Sequence, residues 1–285
     1  MDRTLTLYEL KIPIDRLEKA PKQEVAFFLR SMSILNDVSV FQKAILHSIA
    51  VIPQHKLNSP ETSAQVAQSF CFVRMLAGIC YETFDFVQIG FFANPGNPLK
   101  CRAFKTKQKK IARLKLKSLD STFLQIMSDQ ARTANKKIQD YFSTDNSIRW
   151  LRNKFSFHYD LEQAFDQQKK FKIIDDPHIF LEETDGNCCY VLSNQLMILQ
   201  ALKVQKDDPN ELKLKFEALT DEVASLARNI AIFLNSYVLV FSEKYLGIDT
   251  STLPEVKLDS VAFLDEIRTS FFLKRRSKFT ERVHG

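Results

Sequence analysis

The chain has 285 residues, a formal net charge of +6, 45% hydrophobic and 26% charged residues. This is the balance of a soluble globular protein long enough to bury a sizeable core. Only 6 residues are glycine while 24 are phenylalanine. Turn-rich β architectures need glycine where φ is positive, so this composition argues against them and for long helices with aromatic contacts. The charge neither demands nor opposes a nucleic-acid partner.

In chain order, "MDRTLTLYELKIPIDRLEK" is too charged for a secretory signal. Residues about 24–52 form a first expected helix, with Val25, Phe28, Met32 and Leu35 at helical spacing. Ser59-Pro60-Glu61 starts a second: a capping serine, a proline in the first turn and an acid at the positive dipole end. Val66, Phe70, Val73, Ala77, Cys80, Phe84, Val87 and Phe91 then advance by fours and threes as one apolar stripe, which "NPGNP" at 94–98 ends.

The run 100–117, "KCRAFKTKQKKIARLKLK", contains no acid. It suits either a lysine-rich solvated helix start or a track for an RNA backbone, with Lys105, Lys107, Lys109, Lys110 and Arg113 as the candidate phosphate contacts. Leu119, Phe123, Ile126, Ala134, Ile138 and Phe142 mark a third helix. Asp145 or Ser147 is the expected cap of a fourth, roughly 146–169. "FKII", "HIFLEE" and "CCYVL", separated by Asp-Asp-Pro and Asp-Gly-Asn turns, predict a small β-hairpin or meander inserted at 171–193. A short helix follows near 194–205.

Leu212, Phe216, Leu219, Val223, Leu226, Ile230, Phe233, Tyr237 and Val240 keep a four-three spacing over about four heptads. Such a seam needs a facing helix, in this chain or in another copy. The apolar stretch 223–241 carries Arg228, Asn229, Asn235 and Ser236, which suits a buried helix better than a bilayer span. A last short helix fits 257–273, and the tail beyond it carries no pattern. The expected fold is therefore mainly α: a single helical domain over 1–285, with a bundle over about 24–170, the β insertion at 171–193 and long C-terminal helices over 194–273.

The five cysteines, Cys71, Cys80, Cys101, Cys188 and Cys189, show no metal-type pairing. They suit reduced thiols in a cytoplasm. The histidines outside the segment treated next have no ligand spacing, and no glycine-rich phosphate loop occurs. No metal, cofactor or membrane association is expected.

One segment carries chemistry: "RWLRNKFSFHYD", 149–160. On a helix, Ile148, Leu151, Phe155, His158, Glu162 and Phe165 share one face, with Arg152, Ser156 and Tyr159 on its flank. Arg152 and His158 stand six positions apart, a rotation of about 240° on an ideal helix. A lone histidine on an apolar face is ordinarily a core residue with satisfied nitrogens, and Asn153, Lys154 and Asp160 then form a solvated face.

The same residues resemble the signature of the HEPN superfamily (higher eukaryotes and prokaryotes nucleotide-binding domains): arginine, four to six residues, then histidine, with a polar residue after the arginine. Here these are Arg152, Asn153 and His158. The resemblance implies a helical homodimer with two such helices facing across a cleft, and a metal-independent RNA endonuclease of defence or toxin-type biology, with a cognate antitoxin or regulator as a further partner. It implies His158 as general acid or base, Arg152 on the scissile phosphate, and Asn153 orienting one or the other. RNA, not DNA, is the implied substrate because its 2′-hydroxyl is the nucleophile. Arg74 and Glu82, on the second helix, are candidate supporting partners of the motif, as are Ser156 and Tyr159. The alternative expectations are a non-catalytic helical module that binds RNA or protein, and a scaffold whose seams only assemble subunits.

Overall fold

The computed structural model describes residues 4–51, 59–92, 122–153, 179, 191–203, 209–259 and 261–262. The fold is mainly α, with one small two-stranded antiparallel sheet. The described elements are β1 (Leu5–Tyr8), α1 (Ile14–Lys19), α2 (Lys22–Val51), α3 (Pro60–Phe92), α4 (Thr122–Ile126), α5 (Asp129–Ser143), α6 (Ser147–Leu151), α7 (Val191–Ala201), α8 (Pro209–Phe241) and β2 (Glu255–Leu258). A π-helical turn at Ser242–Leu246 and a short 3₁₀ turn at Thr250–Thr252 lie between α8 and β2.

Helix α3 starts where its cap is. Ser59 Oγ accepts from the Thr62 N–H at 3.1 Å at the head of α3. Much of the apolar stripe of α3 is buried, at Phe70, Val73, Ala77, Cys80 and Val87, while Val66 and Phe84 are half-buried. The expected third helix is two. Ser128 interrupts it, its Oγ accepting from the Ala131 N–H at 3.2 Å and so capping α5. Arg132 Nη1 reaches back to the Met127 and Gln125 carbonyls at 2.5 and 2.9 Å, taking up acceptors that the end of α4 leaves over. A serine that can bond its own backbone offers the chain an alternative to helix continuation, and here it wins.

By internal contacts the chain divides into two compact units: Met1–Lys43, Val73–Tyr159 and Phe216–Val261 form one, Ala44–Phe72, Asp160–Lys215 and Ala262–Gly285 the other. Helices α2, α3 and α8 contribute residues to both. The first unit has an aromatic core. Phe27 stacks on Phe86 with centroids 4.1 Å apart, Phe28 on Phe241 at 4.2 Å and Phe84 on Phe142 at 4.3 Å. Tyr237, fully buried, meets Phe27 edge-on and Phe123 at 5.0 Å. Burying each such ring contributes about 1.5–3 kcal/mol against leaving it in water. Most of the α8 seam is filled here: Leu219, Val223, Leu226, Ile230, Phe233, Tyr237 and Val240 are buried within the chain itself, while Leu212 and Phe216 at its start are half-buried. Helix α8 with its π turn is long and apolar enough to cross a membrane; within the chain its Tyr237 hydroxyl donates to the Glu24 carboxylate at 3.0 Å.

In the second unit Ile45, Ala64, Phe70, Leu196, Ile198 and Leu199 are buried, and Gln65 Nε2 donates to the Ser48 carbonyl at 3.1 Å. The sheet pairs the two ends of the described chain: Leu5 faces Leu258, Leu7 faces Val256 and Tyr8 faces Glu255. Gly247, at φ +62°, ends the π turn in the left-handed region that favours glycine. Beside it Arg16 Nη1 donates to the Leu246 carbonyl at 2.6 Å.

Two expected boundaries change. Residues 191–193, assigned to the β insertion from sequence, belong to α7, while the rest of 171–190, apart from Ile179, lies outside the described residues. Residues 257–258, assigned to a last helix, are in β2, because they complete a ladder with the N-terminal strand that local periodicity does not reveal.

Candidate functional site around Arg152

The site begins at the corner between α5 and α6. The cap of α6 is Asn146, not Asp145 or Ser147: its Oδ1 accepts from the Arg149 N–H at 2.8 Å. Its Nδ2 donates to the Tyr141 and Thr144 carbonyls at 3.1 and 3.0 Å, so one side chain serves both sides of the turn. Asparagine is favoured because it offers an acceptor and two donors together. Arg149 closes the corner, Nη2 donating to the Phe142 carbonyl at 2.5 Å and Nη1 to Thr144 at 3.3 Å. Ile148 and Leu151 point into the core, as the periodicity predicts.

Arg152 follows at the end of α6, where Arg152 and Asn153 enter a wider π-type turn. One step round from the buried Leu151, its side chain lies against α3. Nε donates to Glu82 Oε1 at 3.0 Å, and Nη2 donates to the same oxygen. Nη1 donates to Asn153 Oδ1 at 3.2 Å. The guanidinium carbon sits 5.0 Å from the centroid of the Tyr81 ring, near the reach of a cation–π contact. Tyr81 is buried and braced edge-on by Phe142 at 5.8 Å. The Arg152 side chain keeps 25% of its surface exposed and Glu82 48%, so the pair sits at the protein–water boundary. An ion pair this wet contributes about 1 kcal/mol or less to stability; its main effect is to fix a direction for the guanidinium.

Of the residues nominated from sequence, Arg152, Asn153 and Glu82 come together. Arg74 is half-buried on α3, eight residues before Glu82 and so about 12 Å along the axis. His158, Ser156 and Tyr159 lie outside the described residues, as do Lys105, Lys107, Lys109, Lys110 and Arg113. Tyr81, Tyr141, Asn146 and Glu222 belong to the site's framework without having been nominated. Asn146 carried a local signal, since asparagine ranks among the best caps; the others act across the fold.

Tyr141 donates its hydroxyl proton to Glu222 on α8. Burial first, and then the Glu222 carboxylate, hold its pKa far above that of a free tyrosine, so it stays protonated. Burial alone pushes the nearby Cys80 thiol up, which makes it an inert core residue. Among the described residues no three His, Cys, Asp or Glu side chains are grouped to hold a metal ion.

Comparison with known proteins adds no relative: no family model, curated protein or solved structure matches the chain.

Proposed function

We propose that the protein is a HEPN-like, metal-independent RNA endonuclease in which Arg152 binds the scissile phosphate and His158 serves as general acid and base. The observation that carries this reading is the held guanidinium. Glu82 Oε1 takes Nε and Nη2, Asn153 takes one N–H of Nη1, and part of the group faces water. An arginine oriented by a carboxylate, with donor hydrogens not taken up among the described residues, is suited to receive a phosphate. The adjacent asparagine is the polar residue that the signature calls for.

In this chemistry His158 removes the proton of the ribose 2′-hydroxyl. The 2′-oxygen attacks phosphorus and the P–O5′ bond breaks. The leaving oxygen takes up a proton, giving a 2′,3′-cyclic phosphate and a 5′-hydroxyl. Arg152 stabilises the charge that builds on the phosphoryl oxygens. The working unit of this reading is a homodimer, with a cognate antitoxin or regulator as a further partner. The test is cleavage of RNA in EDTA, with product ends identified by mass spectrometry. His158→Ala and Arg152→Ala should each abolish cyclic-phosphate ends, and cutting that survives His158→Ala would remove the reading.

The second reading, a non-catalytic module for RNA or protein, has its own support. Glu82 neutralises Arg152, and a pair that exists only to hold α6 on α3 would look the same. Salt-sensitive RNA binding without cutting would favour it.

A further inference from the structure

The corner between α5 and α6 holds two side chains that the chemistry above does not use. Tyr141 lies near the end of α5, and its hydroxyl donates to Glu222 Oε1, 81 positions further on. With its one proton committed there, the oxygen turns lone pairs elsewhere, and it accepts from the Ile148 N–H at 3.4 Å in the first turn of α6. One turn later the Arg152 N–H bonds the Ile148 carbonyl. A second route runs through rings. Tyr141 meets Phe142 edge-on at 5.0 Å, Phe142 meets Tyr81 at 5.8 Å, and Tyr81 lies under the Arg152 guanidinium. The start of helix α6 is gripped by these contacts together with the Asn146 cap.

We propose that Tyr141, held by Glu222, is the positioning residue that sets where Arg152 presents its guanidinium. The proposal rests on the reading above in taking Arg152 as the phosphate-binding group. The geometric link between the two residues is independent of it. The bond donated to Glu222 fixes the rotation of the hydroxyl and thus the acceptor offered to Ile148. Losing the hydroxyl leaves the ring in place but removes one of the holds on the first turn of α6, and the error is carried to Arg152 one turn away.

The experiment follows the Arg152 Nε–Hε resonance by NMR in the full chain labelled with ¹⁵N-arginine, assigned with Arg152→Lys. Tyr141→Phe and Glu222→Ala should move this signal toward that of a free arginine side chain and speed its solvent exchange about tenfold, as a loosened Glu82 bond requires. Glu222→Gln, which retains an acceptor oxygen, should keep the signal in place. Tyr237→Phe, which weakens the same unit elsewhere, should leave it unmoved. A signal unchanged in both Tyr141→Phe and Glu222→Ala, or displaced equally by Tyr237→Phe, would overturn the proposal. If Tyr141→Phe does not fold, the two Glu222 variants decide. In an enzyme that cuts RNA, Tyr141→Phe should lower kcat about tenfold with KM within about twofold, and an unchanged kcat also overturns the proposal. A wild-type protein that cuts no RNA defeats the nuclease reading instead, and the Arg152 signal still decides this one.

Discussion

At the scale of single residues, the questions are where charge and protons are held. Glu82→Gln separates the two functional readings. It keeps a hydrogen-bond acceptor but removes the charge that fixes Arg152. An endonuclease that relies on that direction should lose about tenfold in kcat while its stability changes by about 1 kcal/mol or less. A purely structural pair would show the stability change alone, so cleavage rates and urea melts of one variant settle the choice. Tyr237 offers a test of a different kind. Burial, followed by the Glu24 carboxylate, raises its pKa above the usual 10. Its contribution to stability is therefore complete below pH about 10 and declines above it, because the unfolded chain ionises first. Tyr237→Phe should cost about 1–2 kcal/mol near neutral pH and flatten the alkaline limb of the stability curve. Circular dichroism melts between pH 7 and 11 check both. Arg152 and Asn153 could be nominated from the sequence because the motif they resemble is local. The partner that fixes Arg152 is 70 positions away on another helix; the sequence could nominate Glu82 but could not show that the two meet.

At the scale of elements, the chain is written largely in caps and stripes. Ser59-Pro60-Glu61 was legible as the start of α3, and the stripes of α3 and α8 as buried faces, because 3.6-residue periodicity is a property of the chain itself. The break at Ser128 and the cap at Asn146 were not legible. Serine, aspartate and asparagine all cap helices, and the choice among neighbours depends on which one finds its N–H donors in the folded turn. Asn146→Ala should therefore cost about 1 kcal/mol or somewhat more, because three hydrogen bonds of the corner go with it. Ser147→Ala should leave stability nearly unchanged. Thermal unfolding of the two variants in parallel distinguishes them, and equal losses would show that the cap assignment is mistaken. Residues 257–258 make the same point for strands: four-residue segments exist as strands only when a partner, here β1, supplies the ladder.

At the scale of the whole molecule, the aromatic core and the α8 seam decide stability. Phe233 has no exposed surface and Ile230 has 1%. Phe233→Ala should cost about 3–5 kcal/mol and Ile230→Ala about 2–5 kcal/mol, mainly from lost burial and the space left behind. The loss should appear as a lower urea midpoint at any protein concentration. If instead the midpoint falls only on dilution, the seam joins copies of the chain as well as its own helices. The four-three spacing had left open whether the facing helix came from this chain or another, and burial of every seam residue from Leu219 to Val240 gives the chain's own contribution.

Composition and periodicity by themselves determined the mainly α character and the long helices, since each depends on residues within a few turns of one another; the pair Arg152-Asn153 was singled out by a resemblance to a family signature. Only the tertiary structure decided that Glu82 and Tyr81 receive Arg152, that Glu222 holds Tyr141, and that the two ends of the described chain pair as strands. Those contacts join residues tens to hundreds of positions apart. Their energy arises from burial and geometry that no local spacing encodes.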